Sequence, residues 1–202
     1  MAGGGRSAQK LRMQIAQLAA KLIAVDGVTN YLAAKRKAAM RLGIRHDRNM
    51  PTNLEIEQAV SDYERLFQAD AQPAALESLR RTAVEAMTFL TPFHPRLVGP
   101  VLTGTATRHT EVTLHLYAEA VEEVGFFLDE HGVPYSHAER SVRTRENNTM
   151  EFPAYRFVAG PSTVVLIVFR AKQKFMTPLS PVDGKVMRRA GLREVRALLV
   201  RA

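Results

Sequence analysis

The chain has 202 residues, of which 46% are hydrophobic and 24% charged, a composition near the average of globular proteins. This composition excludes wholesale disorder, and the length fits one large domain or two small ones. The sequence has no cysteine, which excludes a disulfide framework, a thiolate zinc site, an iron–sulfur cluster and a cysteine nucleophile. With no run of 18 apolar residues, we expect a cytoplasmic protein that has no membrane partner.

Positive charge is concentrated at the two ends of the chain. The net charge is +8 over residues 1–50, −7 over residues 51–169 and +7 over residues 170–202. This distribution has two interpretations. The basic residues form solvated helix faces that pack around the acidic middle of the chain, or the two basic ends bind a polyanionic partner.

Helical patterns fill the first 90 residues. After a glycine-rich segment, apolar residues recur from Gln9 onward at spacings of three and four. Thr52-Asn53-Leu54-Glu55 is a capping box that begins a later helix. We therefore predict a flexible tail over residues 1–8 and a helical region over residues 9–90.

Beyond Thr91 the pattern changes to strands, because Pro92 and Pro95 interrupt any helix and later segments alternate with period two. The predicted strands are Glu111–Tyr117, Val133–Arg143, Phe152–Val158 and Thr163–Phe169, with a helix over Glu119–His131. We predict an α/β core over residues 91–170 and a basic C-terminal arm with a final helix over residues 171–202. The fold class is α+β, with a helical N-terminal region and a small mixed sheet.

The most informative stretch runs from Leu97 to Leu114. Gly99 ends a short apolar run, Gly104 and Ala106 follow, and Glu111 and Thr113 occupy alternate positions of a strand. Side chains at i and i+2 share one face of a strand, where two carboxylates can hold Mg²⁺ together. Glycines allow the preceding backbone to approach a phosphate closely.

This spacing resembles the signature of the nucleotidyltransferase superfamily, which includes DNA polymerase beta and the CCA-adding enzymes. In that family a strand ends in Gly-Ser, a short helix follows, and Asp-x-Asp comes on the next strand. The resemblance implies a sheet of nucleotidyltransferase type and a nucleotide-phosphate loop at Gly99, Pro100 and Gly104. It further implies Glu111 as a ligand of Mg²⁺ and Arg108 as a charge-balancing residue. The chain as a whole is similar to a bacterial branch with a degenerate Asp-x-Asp motif.

Three departures from the family pattern predict a degenerate site. Pro100 replaces the serine and removes a hydroxyl and an N–H. Thr113 replaces the second carboxylate by a neutral hydroxyl, a poor ligand for Mg²⁺. The strand expected to carry a third carboxylate, Thr163–Phe169, contains no acid. Only Glu111 remains of three acidic ligands, so we expect a catalytically degenerate protein that retains nucleotide or phosphate binding.

Two alternatives remain open from the sequence. One is an active Mg²⁺-dependent transferase whose missing carboxylate comes from Glu139 or Glu151. The other is a non-catalytic nucleic-acid-binding or scaffolding module that acts through its basic ends. Its candidate phosphate contacts are Lys35, Arg36, Lys37, Arg188 and Arg189.

His115 is a candidate accessory residue, because it shares a strand face with Glu111 and Thr113. No arrangement of the histidines fixes a metal-ligand geometry.

Overall fold

A computed structural model describes residues 3–44, 50–69, 71–145 and 148–200, with side chains described from Ser7 onward. The helices are α1 Gly3–Ala24, α2 Tyr31–Arg41, α3 Asn53–Phe67, α4 Ala71–Phe89, α5 Pro100–Thr103, α6 Glu122–Glu130 and α7 Leu192–Val200. The strands are β1 Arg96–Val98, β2 Val112–Ala118, β3 Tyr135–Arg143, β4 Thr149–Ala159 and β5 Ser162–Arg170. The predicted α+β class is confirmed.

The chain divides into two compact units, and the first contains residues up to Pro73 together with Thr107–His109. Its core is formed by apolar residues of α1, α2 and α3, among them Ile15, Ala34 and Ile56, each fully buried. The predicted capping box begins α3: Thr52 accepts from the Glu55 amide, and the Glu55 carboxylate accepts from the Thr52 amide. Arg12 of α1 donates to the same carboxylate at 2.6 Å, which lowers the pKa of Glu55 to about 2.

Helix α1 begins earlier than the sequence predicts. It starts at Gly3, although residues 1–8 were expected to form a flexible tail; residues 1 and 2 lie outside the described residues. Glycine has low helix propensity, but extending a nucleated helix adds a hydrogen bond for each residue fixed. This continuation explains why the glycines do not delay the start of α1.

The second unit contains Ala74–Ala106 and the chain from Thr110 onward, and is built around a five-stranded mixed sheet. The strand order is β1-β2-β5-β4-β3, with β2 parallel to β5 and every other neighbouring pair antiparallel. Strands β1 and β2 are joined through α5, and α6 follows β2 before the β3–β4 hairpin. This arrangement puts the central strand, β5, beside β2 in the same direction.

The two faces of the sheet pack differently. On the first face, Leu114 and Leu166 join the main core with apolar residues of α4, α6 and α7. On the second face, Tyr117, Phe152 and Phe169 form a smaller cluster with the partly buried Met176. Residues of β5 from Val164 to Phe169 are buried whichever face they point to, which is typical of a strand covered on both sides.

The unit boundary falls earlier in the chain than the predicted domain boundary at residue 90. Helix α4 belongs with the sheet, because Leu79, Ala83 and Met87 are buried in the same core as β2 and β5. The basic arm also belongs to this unit: Ala190 and Leu97 exchange backbone hydrogen bonds of 2.9 and 3.0 Å. Tertiary packing thus groups α4 and the arm with the sheet. Residues 201 and 202 of the arm lie outside the described residues.

None of the helices in the described part of the chain is long and apolar enough to cross a membrane.

Candidate functional site

The turn between β1 and β2 requires glycine at two positions. Gly99 has φ 74° and ψ −159°, a conformation essentially restricted to glycine, and precedes α5. Gly104 ends α5 with φ 91°, and its amide donates to the Pro100 carbonyl. No described atom lies within 4 Å of where a Cβ at Gly99 would project. The backbone is therefore open to a ligand at Gly99.

Arg80 of α4 supports this turn and was not among the predicted site residues. Its Nε donates to the Val101 carbonyl at 3.3 Å, and its Nη2 lies 3.8 Å from the position of a Cβ at Gly104. Burial lowers the pKa of Arg80. Arg80 comes four residues after Leu76, which packs against the core of the second unit. Residues four apart lie on the same side of a helix, so this spacing could have indicated that Arg80 faces the sheet.

Glu111 lies immediately before β2 and is held by two arginines. Arg156 of β4 donates from Nε to Oε1 at 3.0 Å, and Arg140 of β3 approaches Oε2 with Nη2 at 3.5 Å. The carboxylate side chain is 22% exposed, and both of its oxygens face a guanidinium. We call Glu111, Arg140 and Arg156 the Glu111 cluster. Its two guanidiniums and one carboxylate give it a net charge of +1.

Thr113 has no carboxylate beside it on the neighbouring strands. Its partner on β1 is Val98, and its partner on β5 is Val165. A valine therefore stands on the strand from which a third acidic ligand was expected. The neighbouring strand positions thus add no acidic ligand at Thr113.

The structure does not bring Glu139 or Glu151 to Glu111. Glu139 precedes Arg140 on β3, and Glu151 precedes Phe152 on β4, where Phe152 belongs to the cluster on the second face of the sheet. Side chains alternate between faces along a strand, so both carboxylates point to the face opposite Arg140 and Phe152. Glu151 instead accepts a hydrogen bond from the Ser141 hydroxyl.

These residues do not fit a Mg²⁺ site of the kind that the resemblance implies. Such a site needs carboxylate or carbonyl oxygens directed at the ion, whereas the oxygens of Glu111 are directed at Arg140 and Arg156. Within the described ranges, no three side chains of His, Asp or Glu group as metal ligands. Guanidinium groups surround the carboxylate that would bind the metal.

The side chain of His115 is buried on the second face of the sheet and is not accessible to a ligand. The side chain is 1% exposed, and its ring packs against Phe169 in a tilted arrangement with 4.7 Å between centroids. Burial, with a smaller contribution from Arg189, lowers the pKa of His115 to about 3, so the imidazole is neutral at physiological pH. Its Nδ1 has no hydrogen-bond partner among the described residues. The accessory role predicted for His115 therefore lacks the access to solvent that it needs.

Arg108 belongs to the first unit, whereas Gly99 and Glu111 belong to the second. Its Nε donates to Nε2 of His109 at 3.0 Å. Within the same unit its charge acts on Glu64, which is 5% exposed and whose pKa is raised by burial. The described contacts of Arg108 are thus with neighbours in the first unit.

Some of the basic residues predicted to contact nucleic acid form hydrogen bonds within the protein instead. Lys35 donates to the Pro51 carbonyl at 2.9 Å, and Arg189 donates to the Tyr117 hydroxyl at 2.7 Å. Arg36, Lys37 and Arg188 are exposed. The two basic ends therefore offer fewer free cations than their sequence suggests.

No protein-family model matches this sequence, and no curated protein matches it significantly.

Proposed function

We propose that this protein is nucleotidyltransferase-like, has no metal-dependent transferase activity, and binds nucleotide phosphates at Gly99 and the Glu111 cluster. The observation that carries the proposal is the position of Glu111 between Arg140 and Arg156. At the place where the family signature has a metal-binding carboxylate pair, this chain has one carboxylate and two guanidiniums. The proposal also places the protein in the cytoplasm, with which a chain without cysteine is compatible.

The order of elements around the turn supports the resemblance. Strand β1 ends at Val98, Gly99 follows, α5 ends at Gly104, and Glu111 immediately precedes β2. This is the succession of strand, glycine, short helix and acidic strand start that the family signature describes. Strand β5, the neighbour of β2, is where the family's third acid was expected, and it carries none.

The chemistry of the cluster favours phosphate binding without a metal. Guanidinium groups donate paired hydrogen bonds to phosphate oxygens, and arginine stays charged at all relevant pH values. Glu111 orients both guanidiniums and compensates part of their repulsion. Phosphoryl transfer in this family depends on metal ions that stabilise the attacking and leaving oxygens. A site with Glu111 as its single acid lacks the ligands for those ions.

Titration calorimetry with ATP, with and without Mg²⁺, tests the proposal. We expect ATP to bind in the absence of Mg²⁺, and Arg156→Gln to weaken it about tenfold through loss of a charged donor. Glu111→Gln keeps the shape of the side chain but adds one net positive charge, so we expect affinity to stay equal or rise. Arg81→Gln, on the exposed side of α4, is the matched control and should leave binding unchanged.

The opposite response to Glu111→Gln would contradict the proposal. If ATP binding needs Mg²⁺ and this variant abolishes it, Glu111 is a metal ligand, and the active-transferase alternative is to be tested next with an assay of nucleotidyl transfer. If ATP does not bind under either condition, the nucleotide role is wrong and the scaffolding alternative is favoured.

A further inference from the structure

A cavity lies at the end of β1 and β2 that is remote from Gly99 and Glu111. Its volume is about 330 Å³, and its lining residues are His94, Arg96, Tyr117, Lys174, Phe175 and Arg189. Arg96 begins β1 and Tyr117 is near the end of β2, whereas Gly99 follows β1 and Glu111 precedes β2. Because β1 and β2 are antiparallel, the cavity and the Glu111 cluster are at opposite ends of the two strands. We call it the Arg96 cavity.

The charged residues that line the Arg96 cavity are all cations. Arg96, Lys174 and Arg189 line it together with the imidazole of His94, and no acid is among the lining residues. None of these three cations forms an ion pair with a carboxylate of the described residues. Like charges that converge without a counterion repel one another, and a bound anion removes that repulsion.

One of the cations is held by a hydrogen bond, and a second lies against the backbone. Arg189 donates through Nη1 to the hydroxyl of Tyr117, a residue that is 6% exposed. The guanidinium of Arg96 lies against the backbone of Gly191, where an added Cβ would be 2.5 Å from Nη1. Glu194, which accepts from the Gly191 amide, does not line the cavity. The hydrogen bond that holds Arg189 distinguishes this site from a solvated basic surface.

His94 adds a strained backbone to the same place. It has φ 50° and ψ 54°, and it is the single described residue other than glycine with positive φ. A left-handed conformation is unfavourable for a residue with a Cβ, and such strain concentrates at ligand sites. Glycine would fit this backbone better, but it would remove the imidazole from the cavity.

Phe175 lies at the rim and is 90% exposed, more than any other large apolar residue described in this unit. An exposed aromatic ring beside Lys174 offers a surface on which a flat ring can stack. The cavity volume is at the lower end of the range for ligand pockets, about 300–1,000 Å³, which suits a small ligand rather than a duplex.

We propose that the Arg96 cavity binds a nucleoside monophosphate, with its phosphate between Arg96 and Arg189 and its base on Phe175. The ligand class follows from two guanidiniums that line one cavity together with an exposed aromatic ring. This site goes beyond the function proposed above, and neither site depends on the other.

Titration calorimetry of the full chain with AMP, inorganic phosphate and adenosine tests the proposal. The titrations use an Arg156→Gln background, in which binding at the Glu111 cluster is weakened, so that the two proposals can fail separately. We expect AMP to bind more tightly than phosphate, and adenosine to bind weakest. Arg96→Gln and Arg189→Gln should each weaken AMP at least about tenfold. Phe175→Ala should weaken AMP but leave phosphate unchanged.

Three further variants separate a built site from general positive charge. Lys172→Gln and Lys174→Gln remove exposed cations two residues apart, but only Lys174 lines the cavity, so only the second variant should weaken AMP. Gly191→Ala keeps every charge and should weaken AMP by displacing the Arg96 guanidinium. His94→Gly should raise the thermal midpoint by relieving strain and still weaken AMP.

Several results would overturn the proposal. Equal losses from Lys172→Gln and Lys174→Gln would show that unlocalised charge attracts the ligand. Unchanged AMP affinity in both Gly191→Ala and His94→Gly would show that the fixed geometry has no role. If AMP binds no more tightly than phosphate, the base makes no contact with Phe175 that contributes to affinity. If neither AMP nor phosphate binds, the cavity is not a phosphate site. Circular dichroism of each variant verifies that the fold is retained.

Discussion

His115 makes the stability of the second unit depend on pH. The imidazole is buried next to Phe169 and Arg189, and its pKa in the folded protein is about 3 against an ordinary value of 6.5. Between these two values the unfolded chain binds a proton that the folded chain does not. The free energy of unfolding therefore falls as the pH decreases below 6.5, and the fall ends once the pH passes the folded-state pKa.

Replacing His115 by leucine should remove this dependence. Between pH 6.5 and about 3, His115 should contribute a loss of up to about 1.4 kcal/mol for each pH unit, and His115→Leu should lack this contribution. Urea unfolding followed by circular dichroism at a series of pH values measures the difference. His137→Leu, at an exposed position of β3, is the control and should keep the wild-type dependence. Equal acid sensitivity in wild type and His115→Leu would contradict the assignment.

At the scale of elements, α6 approaches the sheet closely because it has glycine where another residue would clash. A Cβ at Gly125 would lie 3.1 Å from the Tyr155 hydroxyl and 3.2 Å from the Tyr135 hydroxyl. Tyr155 also donates to the Val121 carbonyl at 3.2 Å, which restrains its ring. Glycine is unfavourable inside a helix by about 1 kcal/mol relative to alanine, so packing overrides local propensity here.

Gly125→Ala should therefore destabilise the protein despite the gain in helix propensity. Overpacking costs about 1–3 kcal/mol and exceeds the propensity gain, so we expect a net loss of about 1 kcal/mol in the free energy of unfolding. Denaturant titration measures it. Phe126→Ala, at a 70% exposed position of α6, should change stability much less. A gain in stability from Gly125→Ala would mean that the tyrosines move aside freely.

The accuracy of a predicted helix boundary depended on whether neighbouring residues alone determine it. The capping box at Thr52 places the start of α3 correctly, because both of its hydrogen bonds join residues three apart. The start of α1 was predicted too late, because a helix that is already nucleated continues through residues of poor propensity.

At the scale of the whole molecule, each of the two units has a main apolar core of its own. The first is centred on residues such as Ile15 and Ile56, the second on residues such as Leu114 and Leu166, and none of the described buried residues belongs to both. The predicted boundary at residue 90 followed the change from helical to strand-like pattern. The structural boundary follows the cores instead, because α4 buries its apolar face in the second.

A substitution that leaves a cavity in the first core should destabilise the first unit more than the second. Ile15 is fully buried, and Ile15→Ala should cost about 2–5 kcal/mol. We expect hydrogen exchange to accelerate in α1, α2 and α3, while amides of β2 and β5 keep their protection. Met13→Ala, at a 54% exposed position of the same helix, is the control. Equal loss of protection in both units would show that they unfold as one cooperative body.

The sequence by itself determined the elements that depend on neighbouring residues: the amphipathic helices, the alternating strands, the capping box and the glycines at positions 99 and 104. Each of these rests on periodicity or on backbone conformation within a few residues. The sequence also showed that Thr113 lacks a carboxylate and that the segment forming β5 carries no acid.

Only the tertiary structure decided which distant residues meet. Arg140 and Arg156 reach Glu111 from 29 and 45 residues away, and the Arg96 cavity combines β1, β2 and the C-terminal arm. The burial of His115 likewise depends on Phe169 of the adjacent strand. Such contacts follow from strand order and register, which the packing of the whole sheet selects and no local pattern encodes.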